Sequence, residues 1–342
     1  MKNLFITGLI LSTTLVSISS FAQQPQEKVR PKIYAYDYWA YQTANDFLNL
    51  IDKNPNVQKI TEENKGGDLQ CMPVFKNAIK NGVLDIRYAL GYFDDSQGID
   101  IMYDGFNYGL SPSLDIEIFH VLRRLLTAPC DTPTKQLCNF QETGDPSTGL
   151  VTLSKNVNLL GAQVLAKMTL THASASESFE ENKGPLADLQ KKLALQSEEN
   201  YFENIGKSDV VIYNGHSRNG GGPDFNPPLL DKSLHVNYDG YYKVKKVGIT
   251  RVLNQIKKNP NKDSILGIFA CYSQKHYYSA LMKANSKQRL VLSTDTIDYF
   301  DSLHASIGLM EGLLRGQCGE NINSMIQLNE KLVKGYKAFQ IK

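Results

Sequence analysis

The sequence predicts an α/β fold, with a mainly parallel sheet flanked by helices and preceded by an α+β N-terminal region. Two observations carry this prediction. Between residues 163 and 315, short apolar runs alternate with helix-like runs, and parallel neighbours in a sheet need crossover connections of that length. Earlier in the chain, a segment of period-two alternation, Leu84 to Tyr92, stands among helical segments, as in a mixed α+β arrangement.

Three parts of the chain differ in composition. Residues 1–22 are typical of a secretory signal peptide, because a positive residue and an apolar run precede the small-x-small cleavage site Ser20-Phe21-Ala22. The turn-rich segment 144–149 separates an α+β region of unknown role, 23–150, from an α/β domain, 151–342. About 320 residues follow the signal, which is enough for two such domains.

The charge of the chain without its signal is nearly balanced. It has 36 Lys and Arg residues against 35 Asp and Glu residues, so neither nucleic acid nor an anionic membrane surface is indicated as a partner. No later run approaches the roughly 18 apolar residues of a membrane span, so we expect no integral membrane anchor. These features predict an exported protein, located in the periplasm or secreted.

Periodicity and turn signals predict the individual elements. In the N-terminal region they are a strand at 33–36, a helix at 38–52, a β-hairpin of 84–92 with 99–103, and a helix at 114–126. In the second domain they are a hairpin within 151–160, strands at 164–171, 210–214, 265–270 and 290–293, and helices within 185–204 and at 247–258, 277–284 and 303–315. An additional hairpin at 234–247 and a last helix at 322–339 complete the prediction.

Five cysteines in an exported chain leave one over. Cys130 and Cys138 lie in one Pro-rich loop and can close a short disulfide if their Cα atoms approach to roughly 4.4–6.8 Å. If Cys71 pairs with Cys318, or if both stay buried, Cys271 is the thiol that remains. Such a thiol is either a reactive residue or an inert core cysteine, since free cysteine is among the most buried residue types.

Two apolar runs lead to side chains that can do chemistry together. The first, which begins at Asp209, leads to His216 and a glycine-rich turn, and the second leads to Cys271, 55 residues further on. Ligands of open α/β sheets bind beyond the carboxyl ends of strands, so we expect both side chains in one crevice. An imidazole beside a thiol accepts its proton and so generates a thiolate nucleophile. The N–H groups of Gly220 to Gly222, or of Cys271, are candidate donors to an oxyanion.

The residues at the two strand ends resemble those of the caspase-like cysteine peptidases, which include legumain, clostripain, gingipain and metacaspase. The matching stretches are Asn214-Gly215-His216-Ser217 and Phe269-Ala270-Cys271-Tyr272-Ser273, and the resemblance covers about residues 160–315. It implies a caspase-hemoglobinase-like domain in which Cys271 is the nucleophile and His216 the general acid/base. Gly215, Ser217 and Gly220 then become candidate oxyanion and substrate-binding residues. The chain departs from the family at Ser217, where a glycine N–H usually helps to bind the oxyanion.

A specificity pocket is also implied by this resemblance. The strand after that of Cys271 leads into Ser293 to Asp298, and in the family the corresponding region contributes to the pocket for the residue before the scissile bond. Asp295 or Asp298 in that pocket implies a preference for Arg or Lys there. The alternative is that these acids cap the following helix.

Other histidines are weaker candidates for the base. His172 ends a neighbouring predicted strand but is flanked by Thr and Ala, and His276 is expected to be a surface or structural residue of a helix. A metal site formed by His216, Asp224 and His235 fits no compact ligand pattern, so we expect neither a metal nor another cofactor.

Our leading hypothesis from the sequence is an exported cysteine endopeptidase that acts on peptides or proteins. One alternative, favoured by Ser217, is a catalytically inactive caspase-like scaffold that binds protein or cell-wall partners through the tyrosine-rich N-terminal region. Another is a different thiol-based acyl-transfer enzyme, a transpeptidase or amidase of the cell envelope.

Overall fold

Eight strands form one mixed sheet in the described part of the protein. The computed structural model describes residues 35–55, 57, 72–93, 100–103, 106–110, 114–232, 236–259, 263–317, 319–328 and 336–339. Its strands are β1 (Val83–Leu90), β2 (Asp100–Tyr103), β3 (Phe106–Leu110), β4 (Gln141–Thr143), β5 (Leu150–Leu159), β6 (Ala162–Thr171), β7 (Val210–Asn214), β8 (Ile265–Phe269), β9 (Arg289–Ser293) and β10 (Tyr336–Phe339). Its helices are α1 (Ala35–Lys53), α2 (Met72–Asn81), α3 (Leu114–Thr127), α4 (Phe179–Lys183), α5 (Ala187–Phe202), α6 (Val247–Lys258), α7 (Ser273–Ala284), α8 (Tyr299–Leu314) and α9 (Glu320–Ile326).

The strand order of the large sheet is β10-β9-β8-β7-β1-β6-β5-β4. Its five middle strands, β9, β8, β7, β1 and β6, run parallel, whereas β10 at one edge and β5 and β4 at the other pair antiparallel. Counted along the chain, the parallel strands have the doubly wound order 2-1-3-4-5, in which ligands bind where the order reverses. That point lies between β1 and β7. The predicted α/β fold with a mostly parallel sheet is confirmed.

Helices cover both faces of this sheet. One layer, which we call the α8 layer, contains buried residues of α1, α2, α3, α8 and α9. The opposite layer, which we call the α6 layer, contains those of α5, α6 and α7. Every residue of β7 and of β8 is buried, because each strand packs against a layer on both sides. This burial explains why the two strands appear in the sequence as continuous apolar runs.

Most predicted elements are present with slightly different ends. The helices predicted at 38–52, 114–126 and 247–258 correspond to α1, α3 and α6, and the strands predicted at 210–214 and 290–293 correspond to β7 and β9. The remaining parallel strands and crossover helices of the second domain are also present.

The predicted hairpin of 84–92 with 99–103 is wrong, because β1 lies in the middle of the sheet and pairs in parallel with β6 and β7. The second predicted strand, β2, pairs with β3 instead. The period-two alternation of β1 has another cause. Asp85 and Arg87 form an ion pair with an N···O distance of 3.1 Å on one face of the strand, and this contact satisfies polar groups in a central strand.

The predicted hairpin within 151–160 is also wrong. β5 is one continuous strand, and it pairs with β6 over its whole length. The chain turns at Leu160 and Gly161, whose φ angles are 52° and 88°. Positive φ at both central residues is the requirement of the common two-residue hairpin turn, and Gly161 is the signal of that turn in the sequence.

Two predictions near the site and the chain end are corrected. Instead of the hairpin predicted at 234–247, Tyr238–Lys243 forms a π-helical turn. The predicted helix at 322–339 is wrong in its second part, because α9 ends at Ile326 and β10 pairs with β9. This pairing covers an edge of the sheet that would otherwise expose unpaired backbone groups.

At the start of the described chain, Ala35 and Tyr36 belong to α1, so the strand predicted at 33–36 is wrong for these two residues. The other two, like the predicted signal peptide at 1–22, lie outside the described residues. Ala35–Lys342 forms one compact unit, and the boundary predicted at residue 150 falls at the start of β5, beside its sheet neighbour β4.

Cys130 and Cys138, which the sequence left as a possible pair, form a disulfide with a Cα–Cα distance of 5.1 Å. Cys71 and Cys318 lie outside the described residues, and Cys271 carries a free thiol. Within the described ranges, no helix has both the length and the apolar character needed to span a membrane.

Candidate functional site

β7 and β8 end level with each other, and this register brings His216 and Cys271 to the same edge of the sheet. Asn214, the last residue of β7, pairs with Phe269, the last residue of β8. His216 and Cys271 each follow their strand end by two residues. Neighbouring parallel strands lie about 4.8 Å apart, so the two chains leave the sheet side by side.

Both side chains line one pocket, which has a volume of about 170 Å³. The pocket lies on the side of the α8 layer. Its lining residues are Phe93, Leu114, Asn214, Gly215, His216, Phe269, Cys271, Ile297, Asp298, Tyr299 and Ser302. They come from the chain after β1, from the ends of β7 and β8, and from the first turns of α3 and α8. The pocket therefore opens at the carboxyl ends of the strands beside the reversal of strand order, where a doubly wound sheet binds its ligand.

The ring of His216 is oriented by the chain that follows β1. Its Nε2 lies 2.8 Å from the carbonyl oxygen of Phe93, and the two rings are tilted against each other with centroids 5.6 Å apart. A carbonyl oxygen only accepts hydrogen bonds, so Nε2 carries the proton in this contact. In the neutral ring, Nδ1 is then the basic nitrogen.

Cys271 is half-buried, and its Sγ donates a hydrogen bond to the carbonyl oxygen of Ile297 at 3.4 Å. The next residue, Tyr272, has the left-handed backbone angles φ 51° and ψ 32°. This conformation is unfavourable for a bulky residue, and such outliers concentrate at functional sites. Here the conformation turns the chain from β8 directly into α7, which leaves Cys271 at the tip of the turn.

The turn after Cys271 is fixed by two serines. The Ser273 hydroxyl donates to the carbonyl of Ile268 at 2.7 Å, and the Ser293 hydroxyl, at the end of β9, donates to the carbonyl of Ala270. The Ser293 N–H donates in turn to the Ser273 hydroxyl at 2.8 Å. Both serines are fully buried, so the position of Cys271 is determined by hydrogen bonds from serine hydroxyls to backbone carbonyls on either side of the turn.

The loop after His216 is longer and is fixed by buried side chains of the α6 layer. The Tyr213 hydroxyl donates to the carbonyl of His216 at 3.0 Å, and the Tyr277 hydroxyl donates to that of Ser217 at 2.6 Å. Arg218, whose side chain has no exposed surface, pairs with Asp224 at 3.3 Å. The Tyr242 hydroxyl also donates to the Asp224 carboxylate.

The glycine-rich turn forms its own hydrogen bonds. The N–H groups of Gly220 and Gly222 both donate to the carbonyl of Ser217, at 3.0 and 2.9 Å, and that of Gly221 donates to the carbonyl of Arg218 at 2.9 Å. These N–H groups, which we expected as oxyanion donors, are thus engaged within the turn. Gly220 is outside the lining of the pocket. The glycines allow neighbouring backbone to pack closely against the turn, since a Cβ on Gly221 would overlap the backbone of Tyr242.

Ser217 has φ −73° and ψ −16°, a right-handed conformation that any residue adopts. A glycine is therefore not required at this position, and serine presents the same backbone N–H. The carbonyl of His216 points to Tyr213, and the N–H across a trans peptide points the opposite way. The Ser217 N–H is thus directed away from the α6 layer, toward the side of the sheet on which the pocket lies.

The two candidate specificity acids differ in position. Asp298 lines the pocket and also caps α8, since its carboxylate accepts the N–H of Asp301 at 2.8 Å. Both acids are exposed, but Asp295 lies outside the pocket lining, and its carboxylate accepts the N–H of Thr296 at 2.7 Å. The predicted capping role thus applies to Asp298, the acid that also lines the pocket.

The alternative histidines lie away from this pocket. His172 is buried at the end of β6, where its Nδ1 lies 3.1 Å from the carbonyl of Ser174, and burial lowers its pKa to about 4. His276 lies on α7, and burial together with nearby Lys275 lowers its pKa. Of the metal ligands considered, Asp224 contacts Arg218 and Tyr242, and His235 lies outside the described residues.

Sequence reasoning missed two features of the pocket. The carbonyl of Phe93 leaves no signal, because every residue carries one. Asn214 did leave a signal, since it is a polar residue at the end of the apolar strand Val210 to Tyr213. Buried polar groups in such strands need partners, so this amide indicates a polar contact at the end of the strand.

No family model, curated protein or solved structure matches the chain.

Proposed function

We propose that this protein is a cysteine endopeptidase of the caspase-like type, in which Cys271 is the nucleophile and His216 the general acid/base. One observation carries the proposal: Cys271 and His216 line the same pocket. Cys271 is the only free thiol among the described residues, His216 is half-buried, and both follow adjacent parallel strands that end level with each other. Nucleophilic catalysis by cysteine requires this proximity, with the base oriented by a third group. The Phe93 carbonyl supplies that third group.

Acylation begins with transfer of the Cys271 thiol proton to Nδ1 of His216. The sulfur attacks the peptide carbonyl carbon, a C–S bond forms, and the carbonyl electron pair moves to oxygen. When the oxyanion collapses, the C–N bond breaks and the His216 imidazolium gives its proton to the departing amine. A thioester of Cys271 remains, and His216 is neutral again.

Deacylation uses the same two groups. His216 takes a proton from water, the resulting hydroxide attacks the thioester carbon, and the C–S bond breaks. The sulfur leaves as a thiolate and recovers its proton from His216, which restores the resting thiol. In that state the thiol donates to the Ile297 carbonyl, so this contact must break before proton transfer to His216.

Two backbone N–H groups are suited to bind the oxyanion. The hydrogen-bond ladder between β7 and β8 ends with the Gly215 N–H donating to the Phe269 carbonyl at 3.1 Å. The N–H groups of Cys271 and Ser217 lie just beyond this last bond. Backbone donors held in place before the reaction stabilise the developing charge without reorganisation, and each is worth roughly 3 kcal/mol of barrier.

For the substrate, we propose a peptide with Lys or Arg before the scissile bond. Asp298 supports this preference because it is the acidic residue among those that line the pocket, whose walls are otherwise mainly apolar. A basic side chain places its methylenes against such walls and its charge at the acid. The Cys130–Cys138 disulfide supports export, since disulfides form and persist in oxidising compartments.

The test compares cleavage of a peptide panel by the wild type and by Cys271→Ala and His216→Ala. Each substitution is expected to lower kcat/KM at least about 1,000-fold, because it removes a group that acts directly on the reacting atoms. His276→Ala is the matched control, since His276 is also half-buried near the loop but lies outside the pocket lining. Full activity of Cys271→Ala or His216→Ala would exclude this mechanism.

Alkylation with iodoacetamide distinguishes the inactive scaffold from the enzyme. The proposed enzyme reacts fast at Cys271, with a rate that falls in His216→Ala, because the imidazole generates the thiolate. A thiol that stays unreactive near neutral pH, without cleavage of any peptide, would instead support the scaffold. Transfer of the acyl group to an added amine rather than to water would point to the transpeptidase alternative.

A further inference from the structure

Asn214 is a fully buried amide at the floor of the pocket. Its Nδ2 donates to the hydroxyl of Tyr88 at 3.0 Å, but its Oδ1 has no hydrogen-bond partner within the described chain. A buried carbonyl oxygen without a partner is unfavourable, and most buried polar groups are satisfied. Asn214 therefore has an unused acceptor at a residue that lines the pocket. Because this oxygen has almost no accessible surface, a substrate group reaches it only when the neighbouring lining side chains move aside.

A chain of hydrogen bonds fixes the direction of this amide. The Tyr88 hydroxyl donates to Ser306 Oγ at 2.8 Å, and the Ser306 hydroxyl donates to the backbone carbonyl of Ser302 at 2.6 Å. A carbonyl only accepts, so the single proton of Ser306 is committed to Ser302 and that of Tyr88 to Ser306. The Tyr88 oxygen can then only accept from Asn214, which means that Nδ2 faces Tyr88 and Oδ1 is left over.

We propose that Asn214 Oδ1 accepts a hydrogen bond from the N–H end of the substrate side chain that enters the pocket, and so acts as a specificity-determining residue for lysine and arginine. This inference rests on the proposed peptidase function and extends it. Asp298 supplies the charge complementary to a cation, whereas the amide oxygen recognises the N–H group by accepting a hydrogen bond from it. A substrate side chain of equal length without N–H leaves Oδ1 unsatisfied, and sites built to pair a polar group reject such analogues strongly.

The test measures kcat/KM for peptides that differ only in the residue before the scissile bond, arginine or lysine against norleucine. The selectivity for the basic residue is expected to fall about 10- to 100-fold in Asn214→Leu, the range for a lost hydrogen bond to a charged group. Citrulline, which keeps N–H donors without the charge, is expected to lose selectivity over norleucine in Asn214→Leu but to keep it in Asp298→Asn. Unchanged ratios in Asn214→Leu would overturn the proposal.

A second variant tests the orientation of the amide. Tyr88→Phe removes the group that receives Nδ2 and allows the amide to rotate, so the selectivity is expected to fall although Asn214 is still present. Tyr201→Phe is the matched control, because the hydroxyl of this equally buried tyrosine has no hydrogen-bond partner among the described residues. Equal losses of selectivity in Tyr88→Phe and Tyr201→Phe would contradict the role of the Tyr88 hydroxyl in orienting Asn214.

A binding readout separates this inference from the proposed catalysis. n-Butylguanidinium is expected to slow alkylation of Cys271 by iodoacetamide in the wild type, and at least about 10 times more of it is expected to be needed in Asn214→Leu. Methyl n-butyl ether, which is neutral and has no hydrogen-bond donor, is the comparison and is expected to protect both proteins alike. If no peptide is cleaved but this protection pattern holds, the peptidase function fails and the pocket assignment stands. If peptides are cleaved but guanidinium gives no selective protection, the assignment of Asn214 fails alone.

Discussion

The ends of β7 and β8 hold their proposed functional residues in different ways. Cys271 sits on a three-residue turn between β8 and α7, with its neighbour Tyr272 in a left-handed conformation, and hydrogen bonds from Ser273 and Ser293 to backbone carbonyls determine its position. His216 begins a long loop whose shape depends on side chains of the α6 layer. The nucleophile is thus placed by a short piece of backbone, and the base by a set of buried polar side chains.

This difference follows from what each residue does in the proposed reaction. Cysteine must present one atom at a fixed point, and a tight turn at a strand end does this with few contacts. The imidazole must accept and return a proton, so its ring needs a fixed tautomer and some freedom of approach. The Phe93 carbonyl fixes the tautomer through Nε2, while the loop is held from the opposite face of the sheet.

The largest expected effect is on stability at the β7 end. Asp224→Asn keeps the shape of the side chain but leaves the buried Arg218 guanidinium without its carboxylate, which typically costs about 3–5 kcal/mol. Ser293→Ala at the β8 end removes neutral hydrogen bonds and is expected to cost about 1–2 kcal/mol. Urea unfolding of both variants measures the two losses.

Asp239→Asn serves as the control for this pair of variants. Its carboxylate also lies near a cation, Lys243, at 3.5 Å, but both side chains are largely exposed, and such pairs contribute little. If Asp224→Asn were no less stable than Ser293→Ala, the β7 loop would not depend on its buried ion pair, and the difference between the two strand ends would disappear.

Acid unfolding of the core limits the pH range in which the two strand ends can be compared. Burial lowers the pKa of His304, in the α8 layer, to about 4, whereas an unfolded histidine has a pKa of about 6.5. Below pH 6.5 the unfolded chain binds more protons than the folded one. The stability is therefore fully present above about pH 6.5 and is lost as the pH falls toward 4, by roughly 3 kcal/mol for this residue.

His304→Phe is expected to remove that part of the acid sensitivity, because phenylalanine keeps the stacking on Phe47, whose ring centroid lies 4.7 Å away. Urea unfolding at pH 7 and pH 5 measures the change. The residual loss in the variant is assigned to His172, whose pKa burial also lowers to about 4. A stability profile identical to that of the wild type would contradict the assignment to His304.

The sequence was sufficient for the parts of the site that lie on continuous local patterns. The apolar runs that lead to His216 and Cys271 predict buried strands, and the crossover between them predicts that the strands are parallel. The hairpin predicted for β1 was wrong because an alternating strand fits either an edge or the centre of a sheet whose polar face is satisfied. Besides the nearby Arg87, Asp85 accepts a hydrogen bond from the hydroxyl of Ser208, which is distant in sequence. The same holds for Asn214, since its significance depends on Tyr88 and Ser306, 126 residues before it and 92 after it in the chain.

The smallest expected effect separates the role of the β7 loop in the reaction from its role in stability. Tyr213→Phe removes the hydroxyl that holds the His216 carbonyl and that also contacts the backbone carbonyl and N–H of Asp224. The Ser217 N–H, on the other side of the His216 peptide, then loses its fixed direction. We expect kcat to fall about 10-fold with little change in KM, which is less than the loss for a deleted oxyanion donor.

Two further measurements test whether the oxyanion is involved. Affinity for a peptide aldehyde, which forms an oxyanion on Cys271, is expected to fall with kcat, whereas alkylation by iodoacetamide, which forms none, is expected to keep its rate. Tyr201→Phe in the same layer, with its ring 5.6 Å from that of Tyr213, is expected to leave all three unchanged. A loss confined to KM, or an unchanged aldehyde affinity, would mean that Tyr213 only stabilises the loop, and the oxyanion would then depend on the β8 end alone.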